Sequence, residues 1–323
     1  MRDGADGGLG MDGLVKTGFL LVVLTAVFVV AGYAIAGKTG MIAALVMALG
    51  MNLFAYWNSG ALLLRAYKAR KVTRVNDPQL HGLVADLATR AGLPMPEVYV
   101  IDSPQPNAFA TGRNPDNAAV AVTTGLVQAL TREQLAGVIA HELAHVQNYD
   151  TLIMTMAASI AGAIAALADM GRVFRSSGPN EHGESDGPGL IGTLLLIFLA
   201  PLAAMLVQMA ISRTREYEAD RLGAGICGQP VWLADALDRI HLGVRQNVNH
   251  AAEARPATAH LFIINPLQSS RLSELFSTHP PTAERVRRLR AMSGGMAGGT
   301  IARLARSGGA SGPVPVSRLR GVP

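Results

Sequence analysis

Residues 131–148 read TREQLAGVIAHELAHVQN, and how this stretch folds decides how the rest of the chain is read. Thr131 followed three positions later by Gln134 is a capping box, which predicts a helix beginning at Arg132. On a helix His141 and His145 stand one turn apart, so both imidazoles point to one side. Their flanks Val138, Ile139, Ala140, Leu143, Ala144 and Val146 are apolar, so the helix is largely buried. Buried neighbouring imidazoles need a common partner. Two histidines at this spacing can share a zinc ion, and Glu142 lies beside them.

The chemistry such a set supports is peptide hydrolysis: zinc acidifies a water and polarises the carbonyl, while the glutamate takes the proton and passes it to the leaving amine. A bare HExxH arises by chance in roughly one chain in a hundred of this length, so the flanks and a third ligand must carry the reading. Catalytic zinc takes three protein ligands and leaves one position open. The extended three-histidine motif needs glycine at 148 and histidine at 151, where this chain has Asn148 and Thr151. A glutamate about twenty residues beyond the motif would fall near Ala165, inside an apolar run, and is absent. The remaining strong candidate is Glu216 in SRTREYEAD. Asp220, one turn further, is placed to hydrogen-bond a ligand imidazole from behind. Glu218 points elsewhere on the same helix. His241 stays open as a competing third ligand. His81, His250 and His260 have no ligand spacing and read as surface or packing residues, and His182 reads as a solvated loop residue.

Half of the 323 residues are hydrophobic and only 16% are charged, against about 25% charged in soluble globular chains. Mean hydropathy is +0.28. The net charge of +5 sits beside apolar runs and in the tail, which points to membrane-flanking charge and away from nucleic acid. Cys227 is the single cysteine, so no intramolecular disulfide exists, and it reads as a packing residue.

Four long stretches lack charge: 17–37, 39–64, 151–168 and 187–212. The first two are separated by a short turn around Lys38 and form a helical hairpin, each long enough to span a bilayer. For the first run an anchor is expected over a signal peptide, because a second apolar run follows directly. The third run is short and alanine-rich, and a buried core helix is its alternative. The fourth carries Pro201, which membrane helices tolerate. Arg65, Lys68, Arg70, Lys71 and Arg74 crowd the exit of the second run, which puts the following segment on the cytoplasmic side.

The expected architecture is an α+β membrane protein, mainly α-helical with a small β-sheet and four hydrophobic, candidate transmembrane helices. Residues 1–16 form an N-terminal tail and 17–64 the hairpin. The segment 65–150 is a cytoplasmic catalytic piece, and 151–212 is a second hydrophobic pair with a polar loop at 171–189. A second cytoplasmic catalytic piece covers 213–292, and 293–323 is a disordered tail. Within the soluble pieces, 77–91 has helical spacing, 97–101 reads as a strand, 107–112 and 118–124 read as two strands around the turn 114–117, and AERVRRLRAM is a basic helix.

HELAH followed by SRTREYEAD, the apolar hairpin, NAFATG at 107–112 and THPPTAERVRRL at 278–289 together closely resemble the HtpX family of membrane zinc metallopeptidases, relatives of the CAAX prenyl-protease. The resemblance covers most of residues 10–290. It implies a zincin-type HExxH helix with His141, His145 and Glu216 as ligands of one Zn2+ per chain and Glu142 as base. It further implies Asn107 on a substrate-binding edge strand and His279 near the scissile carbonyl. The expected activity is endoproteolysis of misfolded or membrane-associated proteins at the cytoplasmic face of a bacterial inner membrane, in multi-pass topology, as part of quality control under stress. The competing readings are a prenyl-protein processing protease, a branch with more spans, and a zinc-binding membrane scaffold, which would have no use for Glu142. A metal transporter would place ionisable residues within its spans, and the four runs have none.

Overall fold

The computed structural model describes residues 6–158, 213–268 and 280–293. The chain opens with helix α1 (Asp6–Ala66), broken at Ala36 and Gly37, where φ is −139° and +58°. At φ +58° and ψ −143° Gly37 occupies backbone space that side chains exclude, so the break sits on the residue that tolerates it. The arms fold back on each other: Asn52 Nδ2 donates to Thr25 Oγ1 at 2.9 Å across 27 residues. Near the bend, a Cβ on Gly32 would lie 2.4 Å from the Gly40 carbonyl oxygen, so only glycine permits this approach. The expected hairpin is therefore present, with its turn one to two residues before Lys38.

Of the four runs expected to span, one is long and apolar enough to cross a membrane among the described residues: the second arm, Ala36–Ala66, with 11% of its most apolar window buried. The start of the third run has a different environment. Residues 150–158 are helical, and Thr151 to Ala158 are buried inside the protein, as the core-helix alternative requires of that segment. The remainder of that run and the whole of the fourth lie outside the described residues, as do the tail beyond 293 and His182.

After α1 the chain enters strand β1 (Arg70–Val72), helix α2 (Pro78–Ala91), strands β2 (Glu97–Ile101), β3 (Ala108–Gly112) and β4 (Ala118–Thr123), and the short helix α3 (Thr124–Ala129). Asp77 caps α2 by accepting from Leu80 N–H at 3.0 Å, and Gly92 ends it in the left-handed conformation, a paired start and stop. The strands form one mixed sheet in the order β1-β2-β4-β3, with β2 and β4 parallel and the other pairs antiparallel. Strand β3 is thus an edge.

Side chains alternate across this sheet with the strand period of two. Val98, Ala108, Ala110, Val120 and Val122 face α2 and the central helix α4 (Arg132–Gln147), while Ile101, Phe109, Ala119 and Ala121 face Leu63, Leu64 and Tyr67 of α1, residues 153–158 and Phe262. Phe109, Tyr67 and Phe262 form a ring cluster with centroids 5.2 to 5.9 Å apart. The sheet therefore joins the end of the apolar hairpin on one face to α4 on the other.

After helix α5 (150–158), on the other face of the sheet, helices α6 (Arg213–Cys227) and α7 (Pro230–Gln246) complete the packing around α4, and α8 (282–293) closes it. All twelve residues from Leu135 to Val146 are buried, so α4 is the axis of the domain. Two glycines let its neighbours touch it: a Cβ on Gly137 would meet Leu233 N of α7 at 2.7 Å, and a Cβ on Gly223 of α6 would meet the His141 backbone at 2.8 Å. Cys227 is buried at the end of α6, where burial pushes its thiol pKa up, in keeping with a packing residue.

Candidate active site

The capping box expected at the start of α4 is formed, with Gln134 N–H donating to Thr131 Oγ1 at 3.3 Å and Thr131 N–H donating to Gln134 Oε1 at 3.1 Å. Two and a half turns later α4 presents His141 and His145, with their Nε2 atoms 3.2 Å apart. Glu216, from the first turn of α6, faces them: Oε1 is 3.5 Å from His145 Nε2 and Oε2 is 3.9 Å from His141 Nε2. One ligand atom from each of the three lies within 4.8 Å of the others, and all three residues are buried. His241, on α7, does not belong to this cluster, and Glu218 turns away to an ion pair with Arg221.

The donor set fits a tetrahedral metal. Two imidazole nitrogens bound to zinc at 2.0–2.1 Å stand about 3.3 Å apart in that geometry, against 3.2 Å between His141 and His145 Nε2. Both rings are held from behind. His141 Nδ1 lies 3.0 Å from Asp220 Oδ1, and His145 Nδ1 lies 3.1 Å from Asp150 Oδ2. These bonds turn each Nε2 towards the shared space and fix the ring orientation.

Asp220, expected behind a ligand imidazole, lies beside His141. Asp150 and two arginines were not legible. Asp150 lies five residues past His145, beyond the end of α4, and reaches back because Tyr149 takes a positive φ of 60° between α4 and α5. Nothing in the residue types announces that turn; an acid shortly past the second histidine is the sole signal. Arg215 Nη1 donates to the other Asp150 oxygen at 3.3 Å. Arg285, from α8, is 1% exposed and grips Asp220 with two bonds of 2.9 and 2.7 Å, while its Nη1 donates to the Ile263 carbonyl at 2.9 Å. It also stands 3.6 Å from Glu216 Oε2. In sequence it is one of four arginines in a basic helix, with no mark separating the buried one from Arg287, Arg288 and Arg290 at the surface.

The charges here sort the two histidines. Burial pushes the His145 pKa down, but the Asp150 bond and the Glu216 and Glu142 carboxylates outweigh it and leave it raised. Burial lowers His141, and Arg285 and His145 oppose the pull of Asp220, so it stays lowered. Burial drives Asp220 up, yet Arg285 and His141 hold it below its usual value. Glu142, also buried, is pushed up to about 7: burial and Glu216 raise it, while His145, the Ala110 N–H and Arg285 lower it. A carboxyl near 7 suits proton transfer at neutral pH.

The Ala110 N–H that bonds Glu142 belongs to β3, so the edge strand runs directly past this carboxyl. Asn107 stands one residue before β3 and is fully buried. Its Nδ2 donates to the Ile264 carbonyl at 2.8 Å, and its Oδ1 accepts from Ile264 N–H at 3.4 Å. Ile263 N–H adds a bond to the Ala108 carbonyl at 3.1 Å. The side chain is thus committed within the chain, and a substrate contact from it would require release of this bridge. His279 lies outside the described residues. His260, expected to pack, is buried with Nε2 3.0 Å from the Met154 carbonyl.

Peptidase family M48 matches this chain over residues 74–293, which contain His141, Glu142, His145 and Glu216. The crystal structure of S. mikatae Ste24p is similar with a TM-score of 0.47 and 20% identity, covering 87% of this chain and 66% of that chain.

Proposed function

Because the chain belongs to peptidase family M48, a family of metallopeptidases, we propose that it is a membrane-anchored, zinc-dependent endopeptidase of the HtpX type. The observation that carries the reading is the convergence of His141, His145 and Glu216 in one buried cluster, next to a carboxyl raised to about 7. These three would hold one Zn2+, which supplies Lewis-acid polarisation of the scissile carbonyl and of the attacking water. Glu142 takes the proton of that water and returns it to the leaving amine, while Ala110 N–H fixes the orientation of its carboxyl. Asp150 and Asp220 aim the imidazoles, and Arg285 neutralises Asp220 in the buried interior.

The substrate would lie along the free part of β3 as an added strand, its backbone facing the outward groups near Ala110. Main-chain pairing of this kind recognises extended, unfolded segments with weak demands on side chains. That supports misfolded or membrane-associated proteins as substrates. His279 remains a proposed contributor near the scissile carbonyl. Ala36–Ala66 would cross a bilayer, and Arg65, Lys68, Arg70, Lys71 and Arg74 at its end favour the cytoplasmic side for the catalytic domain. Localisation to a bacterial inner membrane, a role in stress response and four-span topology belong to the same proposal.

The test is casein cleavage by detergent-purified full-length protein and its Glu142→Gln variant. We expect the variant to retain its zinc and to lose at least 10²- to 10⁴-fold in rate, since the base goes while the ligands stay. Cleavage near the wild-type rate would show that Glu142 is not the base.

A further inference from the structure

Two hollows outside the active site share a wall. One lies between the arms of α1, has a volume of about 630 Å³, and is lined by apolar side chains such as Leu21, Val29 and Leu53. Its polar members Thr25 and Asn52 are bonded to each other. The second, of about 520 Å³, lies between the C-terminal end of α1 and the sheet, beside Thr111 and Gly112. Tyr56 and Trp57, edge to face with centroids 4.8 Å apart, line both. Trp57, Gly60, Ala61 and Leu64 share one helical face over the second hollow, and Gly60 brings α1 close to Thr111 and Gly112.

With Lys71, which pairs with Glu97 from outside the lining, the second hollow carries net positive charge. Of its two acids, Glu97 is ion-paired with Lys71 and accepts the Tyr99 hydroxyl at 2.7 Å, which leaves Asp116. Against it stand Arg65 and Arg113, neither in an ion pair among the described residues; Arg113 bonds only the neutral amide of Asn117, at 2.9 Å. Two guanidiniums and one carboxylate leave one positive charge. An apolar slot, an aromatic pair and a singly positive polar chamber follow one another along α1, in the order of acyl chain, interface and headgroup in a lipid.

We propose that this double hollow binds one anionic phospholipid, with an acyl chain in the apolar slot and the phosphate between Arg65 and Arg113. The proposal rests on the membrane reading above. A soluble anion would leave the slot empty. A zwitterionic lipid would fill the slot and gain nothing from the net charge. A protein helix in the slot would have no use for the arginine chamber. The bound headgroup would lie beside Gly112, at the end of the edge strand proposed to take substrate.

Trp57 is a ready reporter, because the chain has two tryptophans and Trp232→Phe leaves it alone. The experiment uses this full-length variant in phosphatidylcholine bilayers containing phosphatidylglycerol, with bromine on the acyl chains of one lipid or the other. We expect bromine on phosphatidylglycerol to quench Trp57 with an apparent preference of at least about fivefold, the contribution of one arginine at an anionic surface. The preference should vanish in Arg65→Gln/Arg113→Gln and survive in Arg70→Gln/Arg74→Gln, with flotation and casein cleavage unchanged in both. If the first double variant does not fold, Arg65→Gln alone, at an exposed position, should at least halve the preference. Equal quenching by the two lipids overturns the site while leaving the membrane reading intact, as does a preference lost through Arg70 and Arg74, which would mean diffuse surface charge. Trp57 shielded from both lipids in a chain that floats would mean that protein fills the slot. A chain that does not float refutes the membrane reading and the site with it.

Discussion

Asp150 and Asp220 make the same bond to an imidazole of the proposed metal site, yet they should fail differently when removed. Asp150 is backed by Arg215, whose side chain keeps some access to water at 17% exposed. Asp150→Ala therefore leaves no stranded buried charge, and we expect the fold to survive while metal affinity drops about 10- to 100-fold, the usual cost of losing such a partner. Asp220 is the partner of Arg285, which is 1% exposed and bonded twice to it. Asp220→Ala strands a guanidinium in the interior, which costs about 3–5 kcal/mol. Thermal unfolding of the two variants without added metal separates these effects, and equal losses would mean that Arg285 finds another partner.

At the scale of elements, the site depends on how closely α6 approaches α4. Gly223 lies against the His141 backbone, where a Cβ would sit at 2.8 Å, whereas Gly225 on the same helix faces open space. Gly223→Ala should push the Glu216 helix away from the histidines, costing about 1–3 kcal/mol and lowering metal retention together. Gly225→Ala should be neutral or stabilising by up to about 1 kcal/mol. Denaturant midpoints and zinc content check the pair. The helices that carry the His141, His145 and Glu216 cluster were legible in the sequence because their signals are local: a capping box, the i, i+4 histidines, and Glu216 and Asp220 one turn apart. The same locality made β2, β3 and β4 readable from alternation and a turn. What stayed hidden depends on tertiary placement. The positive φ at Tyr149 that returns Asp150 to the site, the burial of Arg285 among exposed neighbours, and the bridge from Asn107 to Ile264 have no periodic pattern to betray them. The burial of 151–158 is a related case, since an apolar run reads alike whether lipid or protein covers it.

Across the whole molecule, apolar surface separates two environments. Val46 and Phe54 on the second arm of α1 are 67% and 57% exposed, while the apolar side chains of α4 are covered by protein. A lipid environment would make such exposure favourable. We expect the full chain to resist carbonate extraction. Val46→Asp with Phe54→Asp should shift it towards the soluble or aggregated fraction, at about 2.5 to 3.5 kcal/mol for each charge placed near the centre of a span. Unchanged membrane retention in that variant would place the anchoring elsewhere. Through the sheet, the hairpin end and α4 share one framework, so the proposed membrane anchor and the proposed metal site are parts of one fold. The central claim is that His141, His145 and Glu216 hold one zinc ion. Its most direct test is zinc per chain in the purified full-length protein, in Glu216→Ala and in Glu218→Ala. Residues two apart on a helix point about 200° from each other, and the account predicts one zinc in the wild type, one in Glu218→Ala and a loss of most zinc in Glu216→Ala. Equal zinc in the two variants would contradict it.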